Sequence, residues 1–214
     1  NRPLAARRMS VSEAVLVSGV FGVVGIGLLG YFFNELAALI GAMSLLTYAF
    51  IYTPLKRISP IAVLVGAIPG ALPPVIGWVA ATATLSYETY VLFAIQFLWQ
   101  FPHFWAISWL ADEEYRKAGY KLSPESGGKS KFIAFQMLIY ISVLMLVSLL
   151  PIALGIVSYY FAIVAIALGI MFLYKAAVLY NTCTDKAALQ VMFASLIYLP
   201  VLQVAMVLDH IFIV

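Results

Sequence analysis

Charged residues are scarce in this sequence, and that scarcity excludes an ordinary soluble domain. Only 10% of the 214 residues are Asp, Glu, Lys or Arg, while 64% are hydrophobic; soluble domains carry about 25% charged residues. With a net charge of only +3, the sequence also lacks the strongly basic surface of a nucleic-acid-binding protein, so no nucleic-acid partner is expected. The composition indicates an integral membrane protein whose surroundings are the lipid bilayer.

Cysteine and an initiator methionine are also missing or nearly so. Cys183 is the single cysteine, which excludes a disulfide within the chain and any CxxC metal site. The sequence opens Asn1-Arg2-Pro3 and shows no short apolar segment of the signal-peptide type. We therefore expect an N-terminally truncated fragment.

Long apolar runs are abundant, and seven of them are long enough to cross a bilayer as helices, which takes about 20 residues each. Basic residues occupy only alternate loops, whereas Glu35, Glu88 and Asp209 mark the other side; positive loops stay cytoplasmic. The predicted fold is all-α, a polytopic membrane helix bundle forming one domain over residues 1–214. Its N-terminus is expected in the cytoplasm of a bacterium, and the bilayer is expected to be the inner membrane. The predicted spans are 14–33, 36–52, 61–83, 89–111, 132–154, 157–180 and 189–208.

Prolines mark two spans as irregular. Pro54, at the end of the second span, disfavours helical geometry at Thr53. In the third span, Pro69, Pro73 and Pro74 are predicted to interrupt the helix. Irregular backbone at membrane depth is tolerated where it is buried in protein or lines a cavity. The third span is therefore either a kinked packing helix or a wall of a substrate chamber.

The fourth span carries a polar stripe. Gln96, Gln100 and His103 are spaced i, i+4, i+7 and share one helical face. Polar and ionisable residues in spans usually face the bundle interior and mark a pathway or site. His103 could ligate a metal or haem iron, or act as an acid or base. A hydrogen bond to a neighbouring helix is the more common role and is preferred here.

Two groups of charge follow spans on the cytoplasmic side. Lys56 and Arg57 are adjacent cations that suit a phosphate, although membrane orientation alone also accounts for them. Asp112 and Glu113 begin an acidic run below the polar stripe. Carboxylates at a cavity mouth suit Mg²⁺, which binds through one or two carboxylates plus substrate phosphates. A solvated helix face, with Asp112 paired to Arg116, explains the acids equally well.

Four motifs resemble the haem-farnesylating branch of the UbiA prenyltransferase superfamily, in the order in which that family has them. They are YTPLKR at 52–57, GALPPVIGW at 70–78, WQFPHFWA at 99–106 and YRKAGY at 115–120. The resemblance covers almost the whole sequence. It implies a nine-helix UbiA-type bundle with a central cavity, of which this sequence would supply the last seven helices.

The activity that the resemblance implies is transfer of a farnesyl group from farnesyl diphosphate to a vinyl group of protoheme IX, giving haem O for terminal oxidases. It further implies Mg²⁺ as cofactor, haem as substrate, and haem A synthase as a partner that receives the product. The family's first acidic motif, Asn-x-x-x-Asp-x-x-x-Asp, is absent from the sequence. The resemblance places it upstream, so the fragment alone is expected to be inactive.

The resemblance also assigns roles to particular residues. Lys56, Arg57 and Asp112 are expected to be catalytic by holding the diphosphate, with Asp112 and Glu113 as metal ligands. Aromatic walls such as Trp99, Phe104 and Trp105 would favour a passing allylic cation. The expected substrate-binding residues are Tyr52, Thr53, Trp99, Gln100, His103, Tyr115 and Lys121.

Two other functions fit the sequence less closely. One is a UbiA-type prenyltransferase that acts on a quinone or chlorin precursor. Its disadvantage is that Arg116 stands where many ring-prenylating relatives have the second Asp of Asp-x-x-x-Asp. The other is a secondary transporter, because broken helices and midplane polar groups also describe that class.

Overall fold

The structure is a computed structural model, and it describes Leu4, residues 6–119 and residues 129–212. Regular structure in these residues is entirely helical. Seven long helices are present in the described part of the chain, and one short helix follows the fourth. The helices are α1 Val11–Phe32, α2 Glu35–Leu55, α3 Ala62–Thr82, α4 Tyr87–Leu110, α5 Asp112–Lys117, α6 Lys131–Ala153, α7 Tyr160–Thr182 and α8 Asp185–Phe212.

The predicted all-α membrane fold is confirmed. Among the described residues, six helices are long and apolar enough to cross a membrane. The remaining long helix is α4, whose 24 residues include Glu88, Gln96, Gln100 and His103, which lower its hydropathy. Each predicted span corresponds to one long helix.

Polar residues at the loop ends explain where several helices begin. Ser10 and Glu13 form a reciprocal capping box at the start of α1, with the Ser10 N–H donating to Glu13 Oε2 over 2.7 Å. Asn34 accepts from the Ala37 N–H over 2.9 Å at the start of α2. Ser130 caps α6 in the same way. These side chains satisfy backbone donors that have no partner within the helix.

The helices form two regions that meet at α4. We call α4, α6, α7 and α8 the bundle, because α7 packs against α6 and α8, and both of these pack against α4. We call α1, α2 and α3 the wing, because they contact one another in sequence and reach the bundle through α3 and α4. The functional cavity described below lies where the wing meets α4.

The bundle holds the larger core. Its fully buried side chains include Trp109, Phe161, Phe172 and Tyr198, and the Tyr198 hydroxyl lies 2.8 Å from Ser148 Oγ across the α8–α6 contact. In the wing, the separate buried cluster consists only of Ala37, Ile40, Val75 and Val79. Among the described residues, α1 has none that is buried, so most of its apolar surface is left for lipid.

The prediction that three prolines interrupt the third span is wrong. The α3 helix runs without a break from Ala62 to Thr82 with Pro69, Pro73 and Pro74 inside it. Pro73 has no N–H to give to the carbonyl of Pro69 four residues earlier. Ser44 Oγ on α2 donates to that carbonyl over 3.3 Å. The side chain of Ser44 on the neighbouring helix α2 therefore replaces the donor that Pro73 lacks.

The irregular backbone lies in α2 instead. Residues Thr47–Tyr52 form a π-helical segment, and Thr53 is helical, with φ −62° and ψ −42°, which contradicts the expectation drawn from Pro54. The Thr53 N–H donates to the carbonyl of Tyr48, five residues earlier, and Thr53 Oγ1 donates to the same carbonyl over 2.9 Å. The wider turn accommodates Pro54 without ending the helix.

Contacts between loops show which helix ends lie together. At one end, Asp185 of α8 accepts from Lys129 over 2.7 Å and from Trp109 Nε1 over 3.1 Å. At the other, Asn34 Nδ2 donates to Val79 O over 2.8 Å, and Asp209 Oδ1 accepts from Ser158 Oγ over 2.7 Å. The loops alternate between the two ends, as the charge pattern predicts.

Candidate active site

A cavity of about 440 Å³ lies between α2, α3, α4 and the start of α5. Tyr115 and Ser108 stand at the end that also carries the loops rich in basic residues. The opposite end is apolar, since Gly41, Leu45 and Ile76 form it. From Gly66 to Ile76 the helical rise gives the cavity a length of about 15 Å. The other lining residues are Ser44, Tyr48, Tyr52, Val63, Pro69, Gly70, Gln100 and Phe104.

Tyr52 forms the wall near the polar end, and Gly66 makes room for it. A Cβ atom at Gly66 would lie 2.6 Å from two carbons of the Tyr52 ring. The Tyr48 and Tyr52 rings lie 5.2 Å apart, and the Lys56 ammonium lies 5.8 Å from the centre of the Tyr52 ring. The predicted phosphate-binding cation Lys56 is thus adjacent to a side chain that lines the cavity.

Gln100 crosses from α4 to α3 at a second glycine. Its Nε2 donates to Ala67 O over 3.1 Å and to Gln96 O over 3.2 Å, which fixes the orientation of the amide. Its Oε1 lies directly over Gly70, where a Cβ atom would overlap it. Gln100 is only 3% exposed, yet it lines the cavity.

The predicted metal ligands lie beyond the polar end of the cavity, on α5 with Tyr115. Asp112 is half-buried and Glu113 is exposed. Consecutive residues on a helix do not face each other, so the two carboxylates diverge. Within residues 6–119 and 129–212, no three His, Cys, Asp or Glu side chains converge on a metal site. These residues would fit Mg²⁺ only as one carboxylate beside a bound diphosphate.

His103 and Trp99 point away from the cavity lining and contact α8. His103 Nδ1 lies 2.7 Å from Ser195 Oγ, and Trp99 Nε1 donates to Ser195 O over 2.7 Å. Their rings stack 4.7 Å apart. The preferred prediction for His103, a hydrogen bond to a neighbouring helix, is therefore confirmed. Gln96 also turns to α8, where Gln203 Nε2 donates to its Oε1 over 3.3 Å.

The remaining predicted site residues lie in or near the cavity, with one exception. Tyr52, Gln100 and Tyr115 line one cavity, with Lys56 beside it. The side chain of Thr53 bonds to its own helix, and Arg57 follows Lys56 in the loop between α2 and α3. Lys121 lies outside the described residues.

Several residues of the cavity wall were not predicted from the sequence. On α2, Gly41, Ser44 and Tyr48 precede the predicted Tyr52 at three- and four-residue steps, a periodicity that could have identified one face. On α4, Phe104 lies in the cavity wall as the resemblance implied. Trp105, by contrast, is buried against Tyr140, with ring centres 5.1 Å apart.

Comparisons with known proteins show what the chain is similar to. A model of the UbiA prenyltransferase family matches residues 1–197. The protoheme IX farnesyltransferase of Cytophaga hutchinsonii is 47% identical over 212 residues, which cover 99% of this chain and 74% of that protein. The enzyme of the same name from Flavobacterium johnsoniae is 42% identical, with 98% and 70% covered.

One solved structure has a similar fold. It comes from work on digeranylgeranylglyceryl phosphate synthase in membranes and superposes with a TM-score of 0.78. The match covers 99% of this chain and 74% of that one at 20% identity. At this level of identity the likeness supports the fold alone.

Proposed function

Because the chain belongs to the UbiA prenyltransferase family, we propose that it transfers a farnesyl group from farnesyl diphosphate to a vinyl group of protoheme IX, giving haem O. The substrates come from the name of its relatives, protoheme IX farnesyltransferase. Those names favour protoheme over a quinone or chlorin acceptor, and a prenyltransferase family gives no support to transport.

The observation that carries the proposal is the polarity gradient of the cavity. Farnesyl diphosphate has an apolar chain and a highly charged head. The cavity matches both, because one end is apolar and the opposite end carries Tyr115 and Ser108 with Lys56 nearby. The chain would lie along the lining of α2 and α3, and the diphosphate would lie at the mouth.

Lys56 and Arg57 would stabilise the leaving diphosphate. As the bond between farnesyl C1 and the diphosphate oxygen breaks, negative charge grows on the diphosphate. Fixed cations at that point stabilise the transition state more than the ground state. Tyr48, Tyr52 and Phe104 surround the path of the resulting allylic cation, and their ring faces would favour it.

Asp112 is our candidate for holding Mg²⁺ together with the diphosphate. When bound, the ion would supply charge neutralisation of the leaving group. Asp112 lies at the start of α5, three residues before Tyr115 of the cavity lining. Glu113, which is exposed, would then act only through its charge, although it was predicted as a ligand.

We also propose that His103 holds the haem iron. Ser195 Oγ donates its single proton to Met192 O, so it must accept from His103 Nδ1 in the 2.7 Å contact. The neutral ring therefore carries its proton on Nδ1, and the lone pair lies on Nε2, which bonds to no described residue. A histidine held by its other nitrogen is the usual arrangement of a metal ligand.

The cellular setting follows from the same proposal. The end with Lys56 and Lys129 would face the cytoplasm of a bacterial inner membrane, and the multi-pass chain would act as one domain. Haem A synthase would receive the product.

The decisive measurement is the mass of haem extracted from membranes of cells that express the complete gene. We expect farnesylated, hydrated haem from the wild type and a drop of about 100-fold in product formation with Lys56→Ala/Arg57→Ala. Lys186→Ala removes an exposed cation at the same membrane end, on α8, and should leave turnover unchanged. Unmodified haem from folded wild-type protein supplied with both substrates would refute the activity.

The haem-ligand proposal has its own measurement. His103→Ala should remove a spectral shift of bound haem and lower turnover, whereas His103→Cys should retain a ligand with an altered spectrum. Identical spectra and turnover for wild type and His103→Ala would reduce His103 to a packing residue.

A further inference from the structure

Two carbonyl oxygens in the cavity wall lack the donors that such groups normally have. The first is Gln100 Oε1, since both Nε2 protons are used on Ala67 O and Gln96 O, while no described residue donates to Oε1. The side chain is 97% buried, as its 3% exposure shows, and it lines the cavity. Because the side chain borders the cavity, a donor for Oε1 can come from a molecule held there.

The second is the backbone carbonyl of Gly70. In a helix this oxygen accepts from the N–H four residues on, or three residues on in a tighter turn. Those positions are Pro74 and Pro73, and neither has an N–H. No described side chain donates to it either, since Ser44 bonds to the carbonyl of Pro69. Gly70 lines the cavity, and Gln100 Oε1 lies directly over it.

Both acceptors lie at the level where the chemistry would take place. Tyr52 packs on Gly66 near the polar end, and Gly70 is one helical turn deeper, about 6 Å. A diphosphate at the mouth would put the first carbon of the prenyl chain near this level. Gln100 and Gly70 both line the cavity at this level, so a ligand with two donor protons would satisfy both acceptors.

Resting on the proposed function, we propose that Gln100 Oε1 and Gly70 O hold the water molecule that completes the reaction. The vinyl π electrons form the bond to farnesyl C1 as the bond to diphosphate breaks, which leaves a cation on the other vinyl carbon. The water oxygen bonds to that carbon. The proton that the resulting oxonium ion releases then passes through water in the cavity to the released diphosphate at the mouth. Because both protons are held by acceptors, the oxygen lone pairs face the cation.

The alternative fate of the cation gives the test a specific readout. Without a held water, the intermediate loses a proton from the adjacent carbon and regains a double bond. The product is then a farnesylated haem that is lighter by one water. A merely structural role for Gln100 would reduce both products together and would leave their ratio unchanged.

The test compares three variants in membranes from cells that express the complete gene, with the extracted haems separated by mass. Gln100→Met removes the side-chain acceptor. Pro74→Ala returns an N–H to Gly70 O and makes the helix more regular, so it should fold at least as well as the wild type. In both we expect the ratio of dehydrated to hydrated product to rise at least about tenfold. Gln96→Met makes the same change one turn away, at a side chain bonded to Gln203, and should leave the ratio unchanged.

The outcomes separate this inference from the function it rests on. A wild type that leaves haem unmodified would overturn both. Hydrated product at the wild-type ratio in Gln100→Met and Pro74→Ala would overturn the water site alone. Folded variants that make neither product would also overturn it, because prenyl transfer precedes the addition of water.

Discussion

The bundle and the wing bury their side chains in opposite ways. In the bundle, large apolar residues such as Phe172, Tyr198 and Trp109 are completely enclosed. In the wing, small residues dominate, and the helix α3 that faces the cavity contains glycines and three prolines. The cavity therefore lies beside the loosely packed wing helices α2 and α3. The enclosed core of the bundle supports α4 from its opposite face.

Helix α4 lies between the wing and the other helices of the bundle, and its two faces differ accordingly. Gln100, Phe104 and Ser108 line the cavity. Trp99 and His103 bond to α8. A change at Gln100 should therefore act on the cavity, and a change at Trp99 should act on the contact between α4 and α8.

The largest expected effect concerns the bundle core. Phe172→Ala should lower the free energy of unfolding by about 3–5 kcal/mol, because it removes a fully enclosed ring and leaves a cavity. Thermal unfolding of the detergent-solubilised protein would measure it. Tyr174→Ala, on the same helix but 62% exposed, is the control and should cost much less. Equal losses at both positions would mean that the bundle is not the stabilising region.

The next effect concerns the wing. Gly66→Ala should push the Tyr52 ring, 2.6 Å from the new Cβ, into the cavity and reduce kcat/KM about tenfold, or about 1.4 kcal/mol. The unfolding temperature should change little. Gly77→Ala is the matched control, since nothing lies within 4 Å of a Cβ there on the same helix. A large loss of stability with unchanged kcat/KM would reverse the contrast between the regions.

The smallest effect sharpens the account of the bundle. Ser148→Ala should cost about 1 kcal/mol, because it leaves the buried Tyr198 hydroxyl, 2.8 Å from Ser148 Oγ, without its partner. Ser148→Ala/Tyr198→Phe should cost less than the sum of the two single changes. A double-mutant cycle in thermal unfolding measures the difference. Strict additivity would show that the contact contributes nothing.

Much of the fold could be predicted because bilayer thickness and loop charge constrain it strongly. Those two patterns predicted every long helix and the alternation of loops between the two ends. The break expected at Pro69, Pro73 and Pro74 could not be judged from one helix, since the missing donor at Pro73 is replaced by Ser44 of α2. Likewise, nothing in the composition of Thr47–Tyr52 predicts that these residues form a π-helical segment.

The site was predictable only in part, for a geometric reason. A stripe spaced i, i+4, i+7 indicates one face of α4 but not the neighbour that each residue meets. Gln100 turns to α3 and His103 to α8, because the stripe runs along the boundary between two packed helices. The acceptor at Gly70, by contrast, is implied by Pro73 and Pro74 alone once the helix is known to be continuous.

The π-helical segment of α2 has a consequence for the register of the chain. Such a segment is equivalent to one residue inserted into an α-helix. Every residue after it is therefore turned by about 100° relative to an uninterrupted helix. Tyr52, Lys56 and Arg57 come at its end or just beyond it. Deleting one residue of 47–51 would keep Tyr52, Lys56 and Arg57 in the sequence but would rotate their side chains away from the cavity. The direction of these side chains therefore depends on the number of residues before them as well as on residue identity.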